Sequence, residues 1–206
     1  IAFFFGVSKG LLGEMPTFEQ LENPNSFLAT EVISEDGKIL GKYYRENRSN
    51  VRFDELPQNI KDALVATEDV RFENHSGVDL RALLRAISKL GSDGGGSTIT
   101  QQLAKNLFHE KPKGKIGRIV QKIKELVLSV MLERTYTKEE ILTMYLNTVD
   151  FIHNSFGVKS AAKTYFNKDV SMLNQNESAT LIGMLKAPWA FNPISKPENS
   201  LKRKKT

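Results

Sequence analysis

Apolar residues recur along this chain at two spacings, and the change from one to the other marks its organisation. In "TEVISEDGKILGKYY", Thr30 to Tyr44, two short strand-like runs flank Asp36-Gly37. That dipeptide tolerates the positive φ of a tight turn, so a small β-hairpin is predicted. From Leu56 onward the period lengthens to about 3.6 residues. Ile60, Ala63, Leu64 and Thr67 share one helical face, and Leu80, Leu83, Leu84, Ile87 and Leu90 mark another. Further helices are predicted from Ile99, Leu103 and Leu107; from Ile119, Ile123, Leu126 and Val130; from Ile141, Leu142, Tyr145 and Leu146; and from Val158, Ala161, Ala162, Tyr165 and Phe166. Thr137 with Glu140, and Asn174 with Glu177, have capping-box spacing, and "KAPWAFNP" is predicted to stop the last helix. The fold class that emerges is mainly α, with a short N-terminal β-hairpin and no internal repeat.

Ahead of the hairpin the pattern fails. "SKGLLGEMPTFEQLENPNSF" carries Gly, Pro and Asn without sustained periodicity and reads as a linker. The start, "IAFFFGV", is apolar but shorter than the ~20 residues a bilayer span needs. It reads either as the last turns of a membrane helix or as a hydrophobic strap. The division expected is therefore a linker over residues 1–26, following a truncated membrane anchor, and one folded domain over residues 27–206.

Composition adds exclusions. With 40% hydrophobic and 26% charged residues in 206, the chain is an ordinary core-forming protein. It has no cysteine, so neither a disulfide framework nor a thiolate metal site is available, and His75, His109 and His153 lie too far apart for local ligand spacing. The net charge of +5 is less informative than its placement. Lys105, Lys111, Lys113, Lys115, Arg118, Lys122 and Lys124 face one acid, Glu110, over twenty residues, and such a block meets an anionic partner. The terminal "LKRKKT" reads more simply as a solvated tail.

Three stretches carry candidate chemistry. In "ATEDVRFENHSGVD" the adjacent acids Glu68 and Asp69 close an apolar helical run, where exposed carbonyl oxygens disfavour anions and make a carboxylate a better base. The simpler reading is surface charge neutralised by Arg71. In "SDGGGSTITQQLAKN" three glycines lead into Ser97 and Thr98 at a helix start, a place where free amides attract anions. No lysine follows the last glycine, so the phosphate-loop pattern of nucleotide hydrolysis is a poor fit. An N-capped helix after a flexible loop is the plainer alternative. In "GRIVQKIKELVLSVMLE" Arg118, Lys122 and Glu125 share one face and the apolar residues lie on another, as a surface salt-bridge ladder also does.

Taken in order, these motifs resemble glycosyltransferase family 51, the peptidoglycan polymerase domain of class A penicillin-binding proteins and of monofunctional transglycosylases. "EDVRFENHSGVD" is similar to the family's EDxxFxxHxGxD, and "GGSTITQQLAKN" to its second motif. "KIKE" followed by "LE", "EEILTMYLN" and "GVKSAAKTYF" stand for the third, fourth and fifth. The resemblance runs from about Leu28 to about Pro193.

It implies a lysozyme-like helical lobe and a smaller, mobile, membrane-facing lobe at roughly residues 106–155. By resemblance Glu68 is the general base and Glu125 the second acid. Asp69, Phe72, Ser97, Thr98, Gln101, Gln102, Lys105, Arg118 and Lys122 bind substrate, with Phe72 packed beneath the base and Lys105, Arg118 and Lys122 meeting a pyrophosphate. The reaction implied is inverting polymerisation of lipid II on a growing glycan strand, sensitive to moenomycin-type phosphoglycolipids. It needs no cofactor, although a divalent cation is left open. The implied partners are the membrane surface and a downstream transpeptidase domain, with no nucleic acid, and the implied location is the outer face of the cytoplasmic membrane. The third motif departs from the family's usual Arg-Lys in having Gln121 before Lys122, so Arg118 is expected to supply the missing cation. "FIHNSF" lacks glycines often found there. Two rivals are a lysozyme-like hydrolase or lytic transglycosylase, which needs no pyrophosphate clamp, and a basic module that binds anionic polymers or membranes by charge alone.

Overall fold

The computed structural model describes residues 30–36, 39–43, 47–48, 50–88, 96–108, 112 and 114–204, so the linker expected over residues 1–26 lies outside the described residues. Strands β1 (Thr30–Ile33) and β2 (Ile39–Tyr43) pair antiparallel with Thr30 opposite Tyr43, which is the hairpin the alternation predicts. Helices α1 (Gln58–Glu68), α2 (Leu80–Ser88), α3 (Ile99–Leu107), α4 (Gly114–Thr135) and α5 (Lys138–Thr148) follow. Strand β3 (Asn47–Arg48) pairs in parallel with β4 (Ser155–Phe156), and α6 (Val158–Phe166), α7 (Gln175–Met184) and α8 (Pro197–Lys204) complete the chain. The protein is mainly helical. It divides into two compact units, one holding Glu68–Tyr145, the other joining Asn25–Thr67 to Leu146–Thr206.

In the first unit α3 packs along α4. Ile99, Leu103 and Ala104 of α3 are buried, as are Val127, Leu128 and Leu132 of α4. The apolar face expected on α4 is turned differently. Glu125, Leu128, Ser129 and Leu132, spaced three and four apart, form the buried row, while Ile119 faces outward at 61% exposure. The reason is polar. Glu125 is held inward by the hydrogen bond from Lys122, and the backbone of Ser129 takes Gly77 against it, so the face is chosen by these partners rather than by its leucines and isoleucines. On α2, too, Leu80 and Leu84 of the expected apolar face are largely exposed.

In the second unit Asn147 acts as a spacer between segments. Its side chain accepts from Val51 N at 2.9 Å and donates to Val51 O at 3.0 Å, as a neighbouring strand would. Gly157, at φ +79°, lies so close to Asn147 that a Cβ would sit 2.7 Å from its carbonyl oxygen. The fourth and fifth motifs therefore serve the frame here. The glycine-free turn is made by three consecutive left-handed residues, Ile152, His153 and Asn154, each at φ between 51° and 57°. Asp150 Oδ1 accepts from Ile152 N at 2.7 Å, Ser155 N donates to Ile152 O at 2.9 Å, and Asn192 Nδ2 contacts His153 Nε2 at 3.0 Å, offsetting a conformation that costs about 1–2 kcal/mol per residue.

Both capping boxes form. Thr137 N donates to Glu140 Oε2 at 2.7 Å, and Asn174 and Glu177 exchange backbone-to-side-chain bonds at 3.0 Å. Glu177 also accepts from Lys168 Nζ at 2.7 Å. That bond, and then the Asn174 amide, hold its carboxyl below the ordinary carboxylate value against the effect of burial. A carboxyl depressed on folding stabilises the fold above its unfolded pKa and loses that contribution as pH falls through the folded one. Glu177→Gln is accordingly expected to lower stability by about 0.5–1 kcal/mol at pH 7, with the difference from the parent closing in acid, measured by urea unfolding across pH. The helix stop at "KAPWAFNP" holds for α7, but it does not end the helices: "PENSLKRK" forms α8, with Pro197 first, Glu198 in the first turn, and Lys202, Arg203 and Lys204 in the last, each sign matched to the helix dipole. The basic tail is thus structured up to Lys204.

Candidate active site

The segment Ser97 to Gln102 organises the first unit, and each of its six residues has a partner. Ser97 Oγ accepts from Lys122 Nζ at 2.8 Å. Thr98 caps α3 by accepting from Gln101 N at 3.1 Å and donates its hydroxyl proton to Gly77 O at 2.7 Å. Ile99 N donates to Asp69 Oδ2 at 3.1 Å, and Thr100 Oγ1 donates to Glu133 Oε1 at 2.6 Å. Gln101 reaches Gly77 O at 3.3 Å and accepts from Lys122 at 3.1 Å; Gln102 Nε2 donates to Glu68 Oε2 at 2.8 Å. Adjacent residues on a helix point about 100° apart, so one short segment serves Glu68 directly through Gln102 and Glu125 through the lysine that Ser97 and Gln101 hold.

Glu68, the last residue of α1, is half-buried. Its carboxylate has a single hydrogen-bond donor among the described residues, the Gln102 amide on Oε2, which leaves Oε1 open. Arg71 does not neutralise it. The guanidinium lies 2.6 Å from Asp79 Oδ2 instead, and Asp79 caps α2 by accepting from Ala82 N at 3.0 Å. Burial pushes the Asp79 carboxyl up, but the Ala82 amide and Arg71 outweigh it and hold it below the ordinary value.

Glu125 is handled in the opposite way. Lys122 lies 3.1 Å from its Oε2, and the three donors of that ammonium are spent on Ser97, Gln101 and Glu125. One acid is thus held by a neutral amide and the other by a fixed cation. The cation that holds Glu125 is Lys122; Arg118 is exposed and makes no ion pair among the described residues, and Gln121 makes no bond to Glu125. Lys105 is likewise exposed and unpaired among the described residues. Lys111, Lys113, Gly94 and Gly95 lie outside the described residues.

Asp69, Phe72, Thr98 and Gln101 are buried, and their side chains are engaged within the protein. Asp69 Oδ2 takes both Ile99 N, at the start of α3 where an anion is favoured, and His75 Nε2 at 2.9 Å. Gly77 N donates to His75 Nδ1 at 3.2 Å, which leaves the Nε2 proton for Asp69. Phe72 has Lys138 Nζ 4.3 Å from its ring centre, and Lys138 also donates to His75 O and Glu133. Sequence reasoning missed His75, Glu133 and Lys138 as parts of this frame; His75 and Glu133 stand within the motifs, but their partners are distant in sequence. Among the described residues no cluster of three or more His, Asp or Glu side chains is arranged to hold a metal ion.

Gly77 is where this frame meets α4. At φ +88° it occupies the left-handed region, and a Cβ would lie 2.6 Å from Ser129 O, which is backbone and cannot yield. Gly77→Ala is expected to cost about 3 kcal/mol or more, strain and overpacking together, read as a fall in the urea midpoint.

A family model described as transglycosylase matches residues 36–206. Penicillin-binding protein 1A of Pseudomonas aeruginosa is 36% identical over 205 residues, covering 98% of this chain and 24% of that protein. Penicillin-binding protein 1F of Bacillus subtilis is 39% identical over 184 residues, 86% of this chain and 25% of that protein. Penicillin-binding protein 1A of Escherichia coli is 35% identical over 204 residues, 97% of this chain and 24% of that protein. The chain spans about a quarter of the length of these curated relatives. Matched by that model along most of its length, and over a third identical to these proteins across nearly all of it, the chain belongs to the transglycosylase family, glycosyltransferase family 51.

Proposed function

We propose that this domain polymerises lipid II into β-1,4-linked glycan with inversion at the anomeric carbon, releasing undecaprenyl pyrophosphate. The observation that carries the reading is a pair of acids from two helices held in opposite ways, Glu68 at the end of α1 by the Gln102 amide and Glu125 of α4 by the Lys122 ammonium. In the step proposed, Glu68 takes the proton of the incoming sugar's 4-hydroxyl on its open Oε1. The hydroxyl oxygen forms a bond to C1 of the growing strand as the bond from C1 to the pyrophosphate oxygen breaks, and that oxygen keeps the electron pair. Negative charge grows on the leaving group, so cations aimed at it lower the barrier. Of the three cations expected to meet it, Lys105 and Arg118 have unspent donors among the described residues, while Lys122, saturated by Ser97, Gln101 and Glu125, serves by fixing the second acid.

Location at the outer membrane surface has support in the exposed start of α4, where Ile116 and Ile119 alternate with Lys115 and Arg118. Apolar side chains that enter the interface and lysines that meet anionic headgroups suit a surface lying on a bilayer. Among the described residues no helix is long and apolar enough to cross one. The greater length of relatives named for penicillin binding supports a transpeptidase domain farther along the gene.

The test is incubation with lipid II in detergent. Expected products are undecaprenyl pyrophosphate and a glycan that a muramidase digests, with assembly blocked by a moenomycin-type phosphoglycolipid. Cleavage of ready-made glycan, with no consumption of lipid II, would instead identify a hydrolase.

A further inference from the structure

We infer that Tyr145 is a positioning residue for polymerisation, acting on Glu68 through the side-chain amide of Gln102. The inference rests on Glu68 being the base proposed above. Tyr145 lies on the buried face of α5 with Ile141 and Leu142, is 1% exposed, and donates its hydroxyl proton to Gln102 Oε1 at 2.9 Å. Gln102 Nε2 then donates to Glu68 Oε2 at 2.8 Å.

The chemistry of an amide gives this chain a direction. A glutamine side chain can sit either way round, and rotating it by half a turn exchanges two donors for an acceptor at little intrinsic cost. An ionised carboxylate accepts only, so Gln102 serves Glu68 with its nitrogen and must place its oxygen elsewhere. Tyr145 occupies that other end, and because Gln102 Oε1 can only accept, the phenol must donate. With the hydroxyl removed, the carboxylate alone still orders the amide, Gln102 Oε1 is left without its donor, and the side chain is free to swing away from Glu68. Glu68 is then no longer held with Oε1 toward the acceptor sugar, and a base displaced from its working geometry loses rate rather than substrate affinity.

A packing role alone does not account for the hydroxyl, since Phe fills the same space. Water cannot readily replace it at a position so enclosed, and an unpartnered buried hydroxyl is costly. Burial, and then the negative charge of Glu68, push the phenol's pKa well above its usual 10, so the donor proton stays in place at any working pH. Tyr145 is therefore a fixed donor and does not exchange protons with substrate.

The experiment is a double-mutant cycle on lipid II polymerisation with Tyr145→Phe, Gln102→Ala and their combination, and Glu68→Gln as control. Tyr145→Phe is expected to lower kcat about tenfold, the scale of one net hydrogen bond, with KM within twofold. The same change made in Gln102→Ala is expected to cost nothing further. Losses that multiply, or a raised KM at unchanged kcat, overturn the inference while leaving Glu68 as the base. Parental activity in Glu68→Gln overturns both. Whether or not Tyr145→Phe folds, 3-fluorotyrosine placed at position 145 reports the partner of the hydroxyl. Its fluorine resonance is expected to shift in Gln102→Ala, and an unmoved resonance overturns the inference.

Discussion

Glu68→Gln is expected to reduce polymerisation of lipid II about 10³-fold, within the range that a positioned general base contributes, while leaving the fold intact. The substitution is close to isosteric, and its carbonyl oxygen can still accept from Gln102 Nε2, so the contacts on that side survive. What is lost is a group able to take the sugar's proton. The loss belongs in kcat, because Oε1 meets the reacting hydroxyl only as its proton departs. Labelled lipid II, followed by the length of glycan formed, reads the result directly. Equal products from parent and variant would remove Glu68 from the chemistry, and with it the reason for placing an acid at the end of α1.

Much of this arrangement is legible in the sequence because it is local. The cap at Thr98, the boxes at Thr137 and Asn174 and the hairpin around Asp36 each depend on residues a few positions apart. For "STITQQ" the plain reading and the functional one sit together, since Thr98 caps the helix while Gln102 reaches Glu68 and Gln101 holds the lysine that pairs with Glu125. Failures arise where a distant partner decides. Arg71 is three residues from Glu68, yet it pairs with Asp79, because the chain turns through a short 3-10 helix at Phe72–Asn74 and carries Asp79 back to it. Apolar periodicity misreads α4, because Glu125 counts as polar although Lys122, Ser97 and Gln101 make its burial tolerable. Periodicity finds the ring of Tyr145 but is silent on its hydroxyl, whose partner stands 43 residues away. Helix α8 buries only Ser200, so it offers no apolar stripe to detect.

Lys122→Met is expected to reduce kcat about 10²-fold, at the lower end of what fixed charge stabilisation contributes, and to destabilise the fold at the same time. The two effects have one origin. Methionine covers the same stem but abandons Ser97, Gln101 and Glu125 together, leaving a carboxylate that is 11% exposed without its cation. Stranding a fully buried charge costs about 3–5 kcal/mol. The Lys122 side chain is 42% exposed, so water screens this pair, and about 1–2 kcal/mol is the better expectation. The double variant Lys122→Met with Glu125→Gln separates folding from function, because it removes the stranded charge along with its partner. Urea unfolding is expected to show most of the lost stability recovered, while turnover of lipid II stays as low as in Lys122→Met. If turnover recovered in step with stability, the ion pair would matter only to the fold, and fixing the second acid would have no part in turnover.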